Sequence, residues 1–511
     1  MKSILSLSFT VLIFLLAAAG ISAQENKVSK WPHAVTYEIF VQSFADSNHD
    51  GIGDFKGMTS KLGYLTDLGV EAVWLMPIHP SSTYHKYNVN DYYDVHPDYG
   101  TLQDFKTFVD EAHKRGIHVI IDLVINHSGT GNLWFKEALK DEHIKYWDYY
   151  VWAHKDDPQV LPPAGQKRSN WYPVKGSDYL YFAHFGSNMP DLNYDNPKLR
   201  QEIFNIGRFW LTEMNVDGFR LDAARHIFPD NRQTDMHLWW EFFLQEMRKI
   251  KPEVYIVGEV WTDVSVAAPY LKGIPALFNF DLAAAIVKAV NDEKGGQIAV
   301  QHRQILDAYK AVNPEYIDNT FLTNHDQERI LSSVNGNTAK AKLAASLLFT
   351  LPGSPYIYYG EEIGMKGKKP DPYIREPYLW DEKSKDESRT TWETPRYSSD
   401  TTVIPLAMQL SDGNSLFNHY KKLIGLRNTS SALTSGDLVP VTISDPSICA
   451  FLRTDTGQSL LVVHNLSGTK KSVRLPSNLT GYKSIYYSNS NGAIKAVLAE
   501  LPAYSTIILS K

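Results

Sequence analysis

Eight short apolar runs, rich in β-branched and aromatic residues, recur along the chain at 35–41, 72–76, 119–125, 216–221, 254–257, 276–280, 320–323 and 356–359. The stretches between them are longer and carry apolar residues at helical spacing. Thr101 is placed to cap a helix over 102–115, with Phe105, Phe108, Val109 and Ala112 on one face and Gly116 to end it. A second helix is predicted over 198–214. Strands that alternate with helices pair in parallel through crossovers, and eight of them argue for an α/β fold, a closed (β/α)8 TIM barrel with its functional groups where the strands end. On pattern alone a doubly wound open sheet remains the alternative.

The spacing breaks after the third run. Residues 128–188, rich in Trp, Tyr, Asp and Pro, are too many for one connection and predict an inserted domain. After a helical segment at 416–427 the pattern changes to short alternating strands at 448–453, 459–464 and 472–475, a C-terminal β-sandwich domain over 433–511. The two parts of the barrel then occupy 31–127 and 189–432.

At the N-terminus Lys2 precedes an apolar stretch from Ile4 to Ala19, and small residues follow up to Ala23. This predicts a signal peptide over 1–23 and export to a periplasm or the medium. A membrane anchor is the other reading, but the run falls short of the roughly 20 residues that span a bilayer. Cys449 is the only cysteine, which excludes an intrachain disulfide and a lipid-modified cysteine at the cleavage site. A net charge of −6 with no basic block gives no field for a polyanion, so no nucleic acid partner is expected. The mature chain is expected to be a monomer free of the membrane.

Four polar clusters close predicted strands: DLVINH at 122–127, GFRLDAARH at 218–226, GEVW at 258–261 and TNHDQER at 323–329. Arg220 and Asp222 stand two apart on a strand, so both side chains point to one face, and the guanidinium favours an ionised carboxylate that can act as a nucleophile. A structural ion pair would look the same. Glu259 follows an apolar run and lies near Trp261, surroundings that disfavour its charge and keep a proton available. Asp326 beside His325, and His127 at the end of its run, add a third acid and two histidines at separate strand ends. A nucleophile and an acid/base carboxyl make up the apparatus of a retaining glycosidase, in which they lie about 5–5.5 Å apart.

These clusters, in this order and with MPDLN at 189–193, resemble the signature of the α-amylase superfamily, glycoside hydrolase family 13, over nearly the whole chain beyond the leader. The resemblance implies Asp222 as nucleophile, Glu259 as acid/base and Asp326 as the acid that distorts the sugar and stabilises the transition state. It implies that Tyr87, His127, Arg220 and His325 shape the subsite where the bond breaks, Tyr87 as an aromatic platform, with Arg225 and His226 on the leaving side. Many family members carry Lys where Arg225 stands. The implied substrate is an α-glucan, starch or a maltooligosaccharide. Exo-acting relatives have Asp where this chain has Tyr84, which favours an open cleft and internal cleavage. Cyclodextrin- and pullulan-degrading relatives usually carry an added N-terminal domain, and MPDLN is similar to the version found in an intermediary group of microbial α-amylases. A glucan transferase and a neopullulanase-like enzyme are the alternatives within the family, and a catalytically silent glucan-binding protein is the alternative outside the enzymes.

The loop from Asp46 to Asp54 sets oxygen-bearing residues at alternate positions, a spacing that suits a hard cation, although a solvated acidic turn would share it. Similar family members bind calcium here, which implies Ca2+ held by Asp46, Asn48, Asp50, the Ile52 carbonyl and Asp54. Other family calcium sites use the Asn of DLVINH, here Asn126, for which a structural role is an equal reading. Aromatic residues of the insert, Trp134, Trp147, Trp152, Trp171, Tyr172, Tyr179 and Tyr181, are candidate sugar platforms, each more often core than platform.

Overall fold

The computed structural model describes residues 27–28, 31–162 and 169–511; the expected leader lies outside the described residues. Eight strands form the barrel: β1 (Thr36–Ile39), β2 (Ala72–Leu75), β3 (His118–Leu123), β4 (Gly218–Leu221), β5 (Tyr255–Gly258), β6 (Ala276–Phe278), β7 (Ile317–Thr320) and β8 (Ser354–Tyr358). Each pairs in parallel with its neighbours, and β8 pairs with β1, so the sheet is closed and the open doubly wound alternative is excluded. Trp74, Ile120, Tyr255, Val257, Phe278 and Tyr356 fill the interior, and a larger apolar layer lies between the strands and the surrounding helices. Packing on both faces explains why the strands read as continuous apolar runs rather than alternating ones.

One strand sits earlier than expected. The run at 320–323 marks the end of β7, whose body is Ile317–Thr320. Its buried Asp318 bonds His302 (2.8 Å) and Asn279 (2.9 Å), and Asn319 bonds the Tyr255 hydroxyl. Paired polar groups inside a barrel cost little, and they hide the strand from a search for apolar residues.

The predicted helix after Thr101 runs Leu102–His113, closed at its start by a reciprocal pair of bonds between Thr101 and Asp104. Asn196 caps a second helix, Pro197–Thr212. Between β3 and β4, strands Trp152–His154, Trp171–Pro173 and Tyr179–Phe182 form a small antiparallel sheet. Most of the insert's aromatic residues pack on one another: Trp147 on Trp152 (4.1 Å between centroids), Tyr172 on Tyr181 (5.7 Å) and Trp134 on Tyr146 (6.5 Å).

From Asp437 onward a five-stranded and a three-stranded antiparallel sheet face each other across Ala450, Leu461, Val463, Val473, Leu501 and Ile507. Strand periodicity turns the alternate residues the other way. Cys449, Phe451, Leu460, Val462 and Ile508 join the apolar layer of the barrel itself. Two buried arginines reinforce that seam where the helix Thr338–Thr350 ends: Arg427 donates to the carbonyls of Phe349 and Leu351, and Arg453 to those of Thr350 and Gly436. Among the described residues no helix is long and apolar enough to cross a membrane.

Candidate active site

Strand register brings distant residues together at the C-terminal mouth of the barrel. Asp122 on β3 lies level with Arg220 on β4, and Leu221 lies level with Gly258, immediately before Glu259. The Arg220 guanidinium, 1% exposed, therefore meets three carboxyls rather than one. It donates to Asp122 (3.0 and 3.1 Å) and to Asp222 (2.6 Å), and its other terminal nitrogen lies 3.0 Å from Glu259. A single planar guanidinium spans Asp222, by a hydrogen bond, and Glu259, by an ion pair, and so holds both carboxyls at one point of the mouth. The pairing foreseen between Arg220 and Asp222 is present, but it is shared. Glu259 also accepts the amide of Ala223 at 3.0 Å.

A second group closes the opposite side. His325 is fully buried, with Nδ1 2.5 Å from Glu38 of β1 and Nε2 2.6 Å from the Tyr87 hydroxyl and 3.1 Å from Asp326. Tyr87 stacks on the same imidazole and donates to Asp122 at 3.2 Å. Arg375 binds Asp326 at 2.9 Å and the Tyr84 hydroxyl at 3.2 Å. The cleft between these groups encloses about 290 Å³ and is lined by Tyr87, His127, Phe185, Met189, Asp222, Glu259, Asp326, Asp371 and Arg375. None of the aromatic side chains proposed as platforms in the insert lines it among the described residues; Trp171 lines an adjoining pocket.

Burial in this cleft pushes the carboxyls of Glu259 and Asp222 upward, and the Arg220 charge pulls both back. Asp122, fully buried, is pushed up to about 7. Asp326 is held well below the carboxylate range, because its burial is outweighed by the charges of His325 and Arg375.

His127 lines the cleft with Nε2 on the Tyr87 carbonyl (3.1 Å) and Nδ1 on the Asn126 side-chain oxygen (3.1 Å); burial lowers it to about 4. The Asn126 amide donates to the His226 carbonyl at 2.6 Å, a structural use of that side chain. His226 stacks on His184 (4.2 Å) and lines the adjoining pocket, whereas Arg225 pairs with exposed Asp230 at 3.6 Å and lines neither cavity. Glu38 and Arg375 were not singled out from the sequence, and Asp122 was read only as the first residue of the DLVINH cluster. An acid within an otherwise apolar strand was the available signal for Glu38 and Asp122.

In the loop after β1, Asp46 accepts the amides of Asn48, His49 and Gly51, and Asp50 accepts that of Ile52. Asp54 accepts the Ser47 amide and caps the helix Phe55–Ser60 through Gly57. The donor set is all oxygen, and among the described residues no lysine or arginine pairs with any of the three carboxyls, so in chemistry and charge the loop fits a hard cation. The three carboxyls do not converge: among the described residues no three His, Cys, Asp or Glu side chains are placed to hold an ion.

A closed (β/α)8 barrel whose mouth presents a guanidinium-bridged carboxyl pair, a third acid and the ring of Tyr87 has the architecture of the glycoside hydrolase class. The chain belongs to the α-amylase family of these hydrolases. The family model for the α-amylase catalytic domain matches residues 38–436, and that for the C-terminal domain of α-amylase SusG matches residues 448–508. The chain is 40% identical to α-amylase 3 of Dictyoglomus thermophilum, covering 94% of this chain and 93% of that one. It is 35% identical to a 4-α-glucanotransferase of Thermotoga neapolitana, covering 85% and 96%. Among solved structures, an α-amylase from H. orenii superposes with a TM-score of 0.87 at 40% identity, over 94% of this chain and 99% of that one.

Proposed function

We propose that the protein is an endo-acting, retaining α-glucan hydrolase that cleaves α-1,4 bonds in starch and maltooligosaccharides. The observation that carries this reading is the bridge from Arg220 to both Asp222 and Glu259 in a cleft that also holds Asp326. In the first step Glu259 gives its proton to the glycosidic oxygen while Asp222 attacks the anomeric carbon, so the C–O bond to the leaving sugar breaks as an ester to Asp222 forms. Glu259, now ionised, takes a proton from water, whose oxygen displaces Asp222 and restores the starting configuration. Ionised Asp326 faces the positive charge that develops on the sugar, and the ring of Tyr87 supports its apolar face.

Internal cleavage is supported by Tyr84. Its ring stacks on Trp392 (5.3 Å) and its hydroxyl takes a bond from Arg375, so this position offers a phenol where the exo-acting relatives have a carboxylate. A glucan transferase, handing the same ester to a sugar in place of water, is the second reading, favoured by the similarity to the glucanotransferase. Calcium in the loop after β1, held by Asp46, Asn48, Asp50, the Ile52 carbonyl and Asp54, would supply local structure rather than chemistry. The leader-like first 23 residues support export.

Asp222→Asn is expected to reduce release of reducing sugar from soluble starch by at least about 10⁴-fold, since it removes a group on which the chemistry depends. Wild type and variant equally inactive would end the enzymatic reading. Timed chromatography of maltoheptaose digests separates the two enzyme readings: only shorter products are expected, and products longer than the substrate would establish transfer.

A further inference from the structure

His325 has an acid at each ring nitrogen. Glu38 lies 2.5 Å from Nδ1 and Asp326 lies 3.1 Å from Nε2, with the Tyr87 oxygen 2.6 Å from that same nitrogen. A neutral imidazole would turn a lone pair toward one of these carboxylates, so the ring carries a proton on both nitrogens. The direction of the next bond follows. With Nε2–H donating to the Tyr87 oxygen, the Tyr87 hydroxyl is free to donate to Asp122, which in turn receives Arg220. A ring protonated on Nδ1 alone would reverse this: Tyr87 would donate to Nε2, and Asp122 would lose a donor.

We propose that Glu38 is a positioning residue for the reaction, acting from the barrel interior to hold His325 as an imidazolium and through that ring to orient Tyr87 and Asp326 around the sugar. Glu38 touches no part of the cleft; it is 2% exposed and is absent from the cleft lining. Its place follows from β1, where Thr36 and Glu38 share the inward face and Glu38 lies level with Trp74 on β2 and Tyr358 on β8. The groups facing His325 are Glu38 from β1, Trp74 from β2, Tyr87 from the loop beyond it, Asp122 from β3, Asp222 from β4, its neighbour Asp326, and Arg375, whose Nε donates to the His325 carbonyl. Burial opposes a charge on the ring, yet Asp326 and Glu38 together raise it to about 9. The inference rests on the glycosidase reading of the cleft, but its central claim, the charge on His325, does not require turnover to be measured.

The test is Glu38→Gln in the full chain, which preserves shape and an acceptor while removing the negative charge. Ring nitrogen spectra of the protein labelled with 15N-histidine, with the His325 signals identified by their loss in His325→Gln, report the charge directly. The wild-type ring is expected to stay doubly protonated to above pH 8, and the Glu38→Gln ring to lose a proton at least one pH unit lower. In parallel, the alkaline limb of kcat/KM on maltoheptaose should move down by a similar interval, while kcat at pH 5.5 stays within about tenfold of wild type. His325 titrating alike in both proteins would overturn the proposal, as would a displaced ring titration with an unmoved alkaline limb. If Glu38→Gln lowers the melting temperature so far that it cannot be assayed, the wild-type ring decides: a His325 ring carrying both protons at pH 8 supports the proposal, and one that has lost a proton by pH 7 overturns it. A chain with no activity on any glucan but with the predicted ring shift would sink the substrate assignment and leave the imidazolium in place.

Discussion

Because one guanidinium serves Asp122, Asp222 and Glu259 together, replacing Arg220 does more than remove a single ion pair. Lysine keeps the charge but offers a point in place of a fork, and it cannot reach two carboxyls in fixed directions. Arg220→Lys is therefore expected to lower kcat/KM on maltooligosaccharides by about 100-fold or more, comparable to the loss of one preorganised donor. Steady-state kinetics beside a thermal melt would check it, and a variant within about threefold of wild type would show the bridge to be dispensable. The residues of this network differ in how plainly the sequence exposed them. Asp222, Glu259 and Asp326 end strands in polar clusters, where a barrel collects its chemistry. Asp122 opens such a cluster but stands within the apolar run at 119–125, Glu38 lies inside a run that otherwise reads as core, and which parity of a short strand faces inward depends on closure of the sheet. Arg375 belongs to an irregular segment after a 3-10 turn, with no period to place it.

At the scale of elements, the loop from Asp46 to Asp54 is the piece whose behaviour depends most on a solute. Three carboxyls within nine residues repel one another, and backbone amides meet only part of that charge. A cation bound by the folded loop stabilises the fold by mass action. Prolonged chelation is thus expected to lower the melting temperature by about 1–3 °C, and excess calcium to restore it, the shift corresponding to roughly 1–3 kcal/mol in a chain of this size. An unchanged melt, together with no metal by elemental analysis, would remove calcium from the account. The start of the helix at Leu102 was legible to the residue, since the Thr101 and Asp104 exchange is a local signal. The body of β7 was not, since Asp318 and Asn319 are satisfied by partners far along the chain. Several aromatic residues of the insert resemble platforms in composition, yet pair with each other in space, a choice that only tertiary packing decides.

Over the whole molecule, the C-terminal sheets and the barrel share one apolar layer, and two buried arginines tie the end of a barrel helix to the seam. Two domains could be read from the change in strand texture near residue 433, but not the extent of this shared surface, because alternate residues of one strand serve two different cores. The lone thiol sits on that seam. Cys449 is 1% exposed, and burial pushes it up to about 12, so both access and ionisation hold back its reaction with a thiol reagent. Labelling across a urea series should rise at the same midpoint as the loss of starch hydrolysis, and complete labelling of a fully active enzyme would show that the seam opens by itself. A built-in chemical gauge follows: without any engineered probe, the colour released by one sulfur reports whether barrel and sandwich come apart in sequence or collapse in a single event.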